Sequence, residues 1–230
     1  MIYHRKGLQR GHAQHGWLDS YHTFSFAEYY DPQFMGFSAL RVINEDVIAP
    51  GQGFGTHPHQ DMEILTYVLA GTVEHQDSMG NKTQIPAGEF QVMSAGTGIR
   101  HSEYNASETD ALHLYQIWIL PEKKGLPPRY AQRRFPDAPG MQLILSPDTR
   151  QGSLQVCQDM TLSRWQITGQ EAQQITLTSE RNYWIQVVKG EVTINDIRVQ
   201  AGDGIALSEC DSLILAEGVA SEVLLFDLPA

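Results

Sequence analysis

The chain has 230 residues, a length that fits one or two domains of ordinary size. Hydrophobic residues make up 41% and charged residues 19%, which supports a buried core and excludes a disordered chain. Asp and Glu number 27 against 16 Lys and Arg, and the net charge of −11 argues against direct contact with nucleic acid or an anionic membrane.

Targeting segments are not evident in the sequence. No apolar run approaches the ~18 residues of a membrane span, and the N-terminus has no apolar segment of the kind that a secretory signal needs. Cys157 and Cys210 make neither a disulfide framework nor a metal-ligand spacing, so we expect buried thiols in a reducing compartment. Together these features predict a cytoplasmic protein.

Short strands separated by Gly, Asn and Asp are predicted in both halves of the chain. In the first half they cover residues 64–69, 73–76, 90–93 and 112–120. In the second half they cover residues 183–188, 191–194, 197–199, 204–207 and 223–226. Long helices are not predicted, so the fold class is all-β.

Proline marks the seam between the halves. Five of the eleven prolines fall between Pro121 and Gly140, a density that excludes a long helix or a central strand. We therefore expect an N-terminal domain over residues 1–121, a Pro-rich linker over 122–145 and a C-terminal domain over 146–230. The arginines of this linker are expected on a solvated face, with a basic docking patch as the alternative.

An internal repeat supports two domains. Residues 67–73 and 85–89 in the first half correspond to 187–192 and 199–203 in the second. In both halves the pattern predicts a strand, a Gly, a second strand, a turn and a third strand, followed by Ala-Gly and an acidic residue. Duplicated all-β units of this size predict two small barrels packed together.

Two clusters of potential metal ligands lie in the first half. His57 and His59 are two residues apart, as are His101 and Glu103, and such pairs on a strand share one face. If the two strands meet in one barrel, three imidazoles and one carboxylate could hold a first-row transition metal and leave positions open for water, substrate or dioxygen. The alternative is that each pair is polar decoration of a strand.

These residues resemble the cupin motifs. Gly51, His57, His59 and Glu63 fit the first motif, and the second is matched by Gly80, Pro86, Gly88, His101 and Asn105. Twelve residues separate Gly88 from His101, where most cupins have two.

That departure is itself a feature of the pirin family, which the chain resembles strongly. The segments that carry the resemblance are 22–27, 31–44, 56–59 and 98–103. The match is specific over residues 12–121 and looser to the C-terminus. It implies an all-β bicupin, in which two tandem double-stranded β-helix (jelly-roll) barrels pack together.

The resemblance also implies one mononuclear metal site in the N-terminal barrel. Its ligands would be His57, His59, His101 and Glu103. The metal would be a divalent transition ion, with Fe(II) expected and Mn, Co, Ni, Cu or Zn also compatible with these ligand types. Glu63 lies where ordinary cupins place a ligand; the resemblance favours Glu103 and leaves Glu63 to orient a ligand imidazole.

Within the family the chain is most similar to bacterial pirin-like quercetin 2,3-dioxygenases. This similarity implies cleavage of a flavonol by dioxygen with loss of carbon monoxide, and Glu103 would act as ligand and general base at once. Two alternatives remain: a metal-dependent regulatory protein with a protein partner, and a cupin isomerase or hydrolase that uses the metal as a Lewis acid.

The other histidines are assigned simpler roles. His12, His15 and His22 are expected at the surface or in a cap, while His75 and His113 are expected in the core or the barrel wall. The aromatic residues between Phe24 and Phe37 are expected mostly in the core. No histidine follows His113, so a second metal site of the same kind is excluded and the C-terminal domain is expected to be structural.

Overall fold

The computed structural model of the chain describes residues 2–169 and 171–230. In these ranges the chain forms two compact units. The N-terminal unit comprises Gly11–Phe135 and Leu154–Gln158. The C-terminal unit comprises Met1–Arg10, Pro136–Ser153 and Asp159–Ala230.

Regular structure in the described part of the chain is almost entirely β-strand. The first strands are β1 (Ile2–Arg5), β2 (Gly11–Gln14), β3 (Leu18–His22), β4 (Leu40–Ile48), β5 (Gly53–His59), β6 (Glu63–Ala70), β7 (Thr72–Asp77), β8 (Lys82–Pro86), β9 (Glu89–Ser94), β10 (Ile99–Asn105) and β11 (Leu112–Ile119). The remaining strands are β12 (Arg129–Arg134), β13 (Gly140–Ser146), β14 (Leu154–Gln155), β15 (Thr161–Gly169), β16 (Gln173–Thr176), β17 (Asn182–Ile194), β18 (Ile197–Gln200), β19 (Gly204–Ser208) and β20 (Ser212–Leu228). Single turns of 3-10 helix occur at Gly7–Gln9 and Arg150–Gly152.

The predicted strands and the all-β class are confirmed. Every predicted segment falls on an observed strand, although residues 183–188 and 191–194 belong to the one long strand β17 and Leu120 lies just beyond β11. Strands β1 to β4, which precede the histidine pair at His57 and His59, are not among the predicted segments. No helix in the described ranges combines the length and apolarity that crossing a bilayer requires.

The N-terminal unit is built from two antiparallel sheets. The larger has the order β12-β9-β6-β11-β4-β3-β2, and the smaller has the order β5-β10-β7-β8. Side chains of both sheets meet in one apolar cluster, in which Val73 and Ile85 of the smaller sheet pack with Val68 and Leu114 of the larger. Burial of these alternate positions holds the two sheets face to face.

A row of polar side chains crosses the inner face of the larger sheet. The strand register places residues from five neighbouring strands side by side in this row: His22, Asn44, Gln116, Thr66 and Gln91. All five are buried. On β6 and β11 the residues two positions to either side of the row belong to apolar clusters, with Val68 and Leu114 on one side and Ile64 and Trp118 on the other. We call this row the polar layer.

The C-terminal unit has one large antiparallel sheet with the order β1-β19-β17-β20-β15-β13. Its long strands β17 and β20 pair along most of their length, with register shifts that bend them. The core of this unit is apolar and includes Ile185, Val187 and Val223. The N-terminal strand β1 pairs with β19, so the first residues of the chain belong to this unit.

The expected linker over residues 122–145 carries strands instead of only a connection. Strand β12 pairs with β9 at the edge of its sheet, and β13 begins at Gly140. Prolines 127 and 128 precede β12, and prolines 136 and 139 follow it, so no proline interrupts either strand. Edge strands can form between prolines because one side needs no hydrogen-bond partner.

The predicted repeat is visible in the backbone of both units. Gly71 and Gly190, which match in the two halves, adopt positive φ angles of 83° and 65°. A Cβ atom at Gly190 would overlap the carbonyl oxygens of Val219 and Ala220. Glycine is therefore required here both for its left-handed backbone and for its lack of a side chain.

We predict that Gly190→Ala destabilises the protein strongly. Gly140→Ala is the matched control, because Gly140 also has a positive φ but has no neighbouring atom within 4 Å of the position that a Cβ would take. The control should lose about 1–2 kcal/mol through backbone strain alone, and Gly190→Ala should lose about 3 kcal/mol or more. Urea denaturation measures both, and equal losses would contradict the steric argument.

Candidate metal centre

Three histidines converge in the N-terminal unit. His57 and His59 lie two residues apart on β5, and His101 lies opposite His57 on the antiparallel neighbour β10. The Nε2 atom of His101 lies 3.0 Å from Nε2 of His57 and 3.0 Å from Nε2 of His59. The strand register therefore produces this cluster, as the sequence spacing predicted. We call it the histidine triad.

The donor set of the triad fits a single divalent transition metal. The Nδ1–H of His57 donates to the carbonyl of Gly55 at 2.7 Å, which leaves its Nε2 lone pair free to ligate. Ligands at about 2.1 Å from an ion and at right angles to each other lie about 3 Å apart. The two 3.0 Å separations match that value. Imidazole nitrogen suits several first-row ions, so the site does not select iron.

The electrostatics of the triad favour the neutral forms of His59 and His101. Burial, together with the neighbouring His101 and His57, lowers the pKa of His59 to about 4. Burial also lowers the pKa of His101 to about 3, with contributions from His57 and His75. A neutral imidazole is the form that binds a metal, so protons compete weakly for these nitrogens near neutral pH.

Glu103, on β10 of the smaller sheet, is buried against the polar layer beside the triad. Its Oε1 accepts hydrogen bonds from Thr66 Oγ1 at 3.1 Å and Gln91 Nε2 at 2.5 Å, and its Oε2 accepts one from Gln116 Nε2 at 2.5 Å. Potential ligand atoms of Glu103, His101 and His75 lie within 4.8 Å of one another. Glu103 therefore lies next to His101 but does not join His57 and His59 in the same tight group.

Glu63 faces away from the histidine triad. Its Oε2 accepts hydrogen bonds from Ser94 Oγ at 2.8 Å and from the backbone N–H of Cys157 at 3.2 Å. Burial raises the pKa of Glu63, against these hydrogen bonds and the nearby Arg129, which lower it. The expectation that Glu63 orients a ligand imidazole is therefore wrong. Residues 60–62 separate β5 from β6, so the alternation of side chains between the two faces of β5 does not continue to Glu63 on β6.

His75 is a core histidine, as expected. Its side chain is fully buried, its Nε2 lies 3.0 Å from Asp77 Oδ2, and its ring stacks on Tyr130. Burial alone would raise the pKa of Asp77, but hydrogen bonds from His75, Asn81 and Met79 outweigh it and lower the pKa. His113 lies in the wall and pairs with Glu45 at 3.0 Å.

The triad opens into a cavity of about 660 Å³. Aromatic side chains from several strands and loops line it, namely Trp17, Phe26, Tyr29, Phe54 and Trp118. The rings of His59 and Trp118 meet edge to face with centroids 5.0 Å apart. The lining contains three acids, Glu28, Asp46 and Glu103, and none of its described residues is Lys or Arg. The cavity therefore favours an uncharged aromatic molecule over an anion.

Several assignments from the sequence change at this cavity. His12 and His15 belong to its lining and are exposed, as expected, whereas His22 on β3 is buried, so the surface or cap role expected for it is wrong. Phe26 and Tyr29 line it too, while Phe24 is in the core as expected. Phe26 and Tyr29 lie outside the regular strands, where no alternation of side chains predicts which way a residue points.

Sequence reasoning missed the polar wall of the cavity. Ser20, Asn44 and Asp46 line it from β3 and β4, and all three are buried. Ser20 Oγ donates to Asp46 Oδ1 at 2.5 Å. Burial raises the pKa of Asp46 to about 7, helped by the charge of Glu103 and opposed by the bond from Ser20. Polar residues at inward positions of a mostly apolar strand were the available signal.

Replacement of any triad histidine should abolish metal binding without unfolding the chain. We expect His57→Ala, His59→Ala and His101→Ala each to weaken Co(II) affinity by more than the roughly 10- to 100-fold that loss of an outer partner costs. His113→Ala is the control, because its partner Glu45 is not a member of the triad. Absorption titration measures Co(II) binding, and circular dichroism measures folding. If each of the three single variants bound Co(II) as tightly as wild type, the assignment would be refuted.

Comparisons with known proteins agree with this architecture. The family model for pirin matches residues 4–119, and a model described as the quercetinase C-terminal cupin domain matches residues 143–228. A quercetin 2,3-dioxygenase of Escherichia coli (strain K12) is 67% identical over 229 residues, covering 100% of this chain and 99% of that protein. A pirin-like protein of Caulobacter vibrioides is 39% identical, covering 94% and 95%.

Solved structures give the same result. The crystal structure of the bacterial pirin YhhW from Escherichia coli in complex with nickel(II) is 66% identical, with a TM-score of 0.97 and coverage of 100% of this chain and 99% of that one. These matches confirm the predicted bicupin fold. The chain therefore belongs to the pirin family.

Proposed function

We propose that this protein is a metal-dependent dioxygenase that cleaves flavonols such as quercetin. The observation that carries the proposal is a triad of imidazoles at the wall of a large aromatic cavity whose described lining contains no Lys or Arg. Two relatives that are 67% and 53% identical bear the names quercetin 2,3-dioxygenase and putative quercetin 2,3-dioxygenase, which supports this substrate class.

The overall reaction is the oxygenolytic opening of the central ring. One flavonol and one dioxygen molecule give one carbon monoxide and one ester of a substituted benzoic acid. Two carbon–carbon bonds of the central ring break, the flavonol is oxidised, and dioxygen is the oxidant. No other electron donor or acceptor is needed, and in keeping with this no dinucleotide fingerprint occurs in the sequence.

The triad would hold the metal, with Glu103 as the fourth ligand that the family resemblance implies. A divalent ion bound there would supply a Lewis acid that lowers the proton affinity of a phenolic oxygen. Fe(II) is our expectation for the native ion, and the nickel complex of YhhW shows that a relative accepts Ni(II). Elemental analysis of protein purified without added metal identifies the ion.

Glu103 is the group that we assign to remove the proton of the 3-hydroxyl. Its carboxylate lines the cavity, and three donors from Thr66, Gln91 and Gln116 fix its orientation. A general base must be held within hydrogen-bond reach of the proton that it accepts, and this arrangement holds the carboxylate without mobile loops.

The cavity wall would orient the flat substrate. The faces and edges of Trp118, Phe26 and Tyr29 offer contacts of the kind that aromatic rings make with one another. The acids of the lining would repel carboxylates, which argues against organic acids as substrates. Placing flavonol beside the metal in one orientation lowers the entropic part of the barrier.

The proposal is tested with metal-loaded protein and quercetin. We expect consumption of flavonol and dioxygen and release of carbon monoxide in equal amounts, and no turnover under anaerobic conditions. Metal-loaded protein that consumes neither flavonol nor oxygen, while a known quercetinase does so in the same assay, would overturn it. Turnover that does not need dioxygen would instead favour an isomerase or hydrolase.

Glu103→Gln should separate metal binding from catalysis. Loss of a general base lowers rates by about 10²- to 10⁴-fold, whereas the triad remains to hold the ion. Glu63→Gln is the matched control, because Glu63 is buried in the same unit but bonds to Ser94 and Cys157 away from the triad. Turnover rate and metal content are measured together. An active Glu103→Gln enzyme beside an inactive Glu63→Gln enzyme would show that the wrong carboxylate was chosen.

A further inference from the structure

The cavity has a polar wall that the proposed chemistry does not use. Ser20, Asn44 and Asp46 come from β3 and β4 of the larger sheet, whereas the histidine triad comes from β5 and β10 of the smaller sheet. Their side chains belong to the lining of the same cavity as the triad. A molecule that fills the cavity would therefore meet both walls.

Asp46 offers this cavity a carboxyl group that is only partly satisfied. The residue is 3% exposed, and its Oδ1 accepts the hydrogen bond of Ser20. Among the described residues no other group donates to this carboxyl, so its Oδ2 has no protein partner. Two residues away on the same face of β4, the Oδ1 of Asn44 is buried without a hydrogen-bond partner. Buried acceptors of this kind are normally paired.

The chemistry of this wall selects the ligand group that would pair with it. An anionic group is disfavoured, because Asp46 and Glu103 lie nearby and the described lining supplies no Lys or Arg. A hydroxyl both donates and accepts, so it pairs with a carboxyl in either protonation state. This matters because burial raises the pKa of Asp46 to about 7. An aromatic ligand that fits the rest of the lining and bears a hydroxyl is a phenol.

We propose that Asp46, Ser20 and Asn44 form a subsite that binds a phenolic hydroxyl on an outer ring of the substrate. This inference rests on the proposed function and deepens it, since it names which flavonols the cavity prefers. Asp46 accepts or shares the hydroxyl proton, Ser20 fixes the carboxyl, and Asn44 provides a second acceptor. The subsite determines specificity; the reacting atoms of the central ring lie at the metal.

The test measures binding in the absence of dioxygen. Dissociation constants are determined on the metal-loaded full chain for unsubstituted flavonol and for derivatives with one added hydroxyl on either outer ring. Wild-type protein should bind one hydroxylated derivative about tenfold more tightly than the parent compound, the gain expected of one hydrogen bond to a carboxyl. Asp46→Ala and Ser20→Ala should reduce this preference to less than about twofold and about fivefold, respectively.

Matched controls separate the subsite from general damage. Glu45→Gln changes the neighbouring carboxylate, which bonds to His113 and Tyr115 and is not part of the lining, and it should keep the full preference. The methyl ether of the preferred derivative cannot donate, so it should bind no better than the parent compound. Metal content and circular dichroism of Asp46→Ala should equal those of wild type.

The outcomes distinguish this inference from the proposed function. A hydroxyl preference that survives in Asp46→Ala, or its absence in wild type, overturns the subsite even if the enzyme turns flavonols over. A preference for an amino derivative over the hydroxyl derivative also overturns it, because the wall would then be a cation site. Hydroxyl preference without any turnover supports the subsite and overturns only the proposed reaction. Failure of every flavonol to bind overturns both.

Discussion

The loss of water around polar groups inside the N-terminal barrel is the constraint on which the site depends. A carboxylate removed from water must be compensated by hydrogen bonds or by a cation. Glu103 receives three hydrogen bonds from the polar layer. His59 and His101 have the opposite problem, because burial and the neighbouring imidazoles disfavour their protonation. Nitrogen lone pairs directed at one point are then best satisfied by a metal ion.

The position of the polar layer follows from the packing around it. Apolar clusters lie on both sides, one around Val68 and Leu114 and the other around Ile64 and Met93. Backbone pairing sets the register of the five strands, and the two clusters pack on the strands that carry Thr66 and Gln116. Both the triad and the donors to Glu103 thus stand on paired strands and not on loops. Catalytic groups supported in this way keep their geometry without cost at the moment of reaction.

The sequence predicted the parts of this site that depend on local periodicity. His57 and His59 share a face because they are two residues apart on one strand, and the same rule brought His101 into the prediction. The spacing rule could not choose between Glu63 and Glu103 as the ligand, because that choice depends on how β6 lies against β5 and β10. The family resemblance favours Glu103, and the hydrogen bonds of Glu63 run to Ser94 and Cys157 and not to the triad. Asp46 was missed for the same reason, since its neighbours come from another strand.

The C-terminal unit shows what the fold requires and what it does not. Gly190 and Gly71 occupy the same turn in the two halves, so the barrel architecture depends on backbone geometry that both units retain. The core of the C-terminal unit is formed by apolar residues such as Ile185 and Val223, and no histidine occurs after His113. Among the described residues this unit contains no group of histidines comparable to the triad, so the barrel fold itself does not require one. The polar layer and the triad of the N-terminal unit differ from that apolar interior. Polar groups can be buried there because the flanking apolar clusters supply stability.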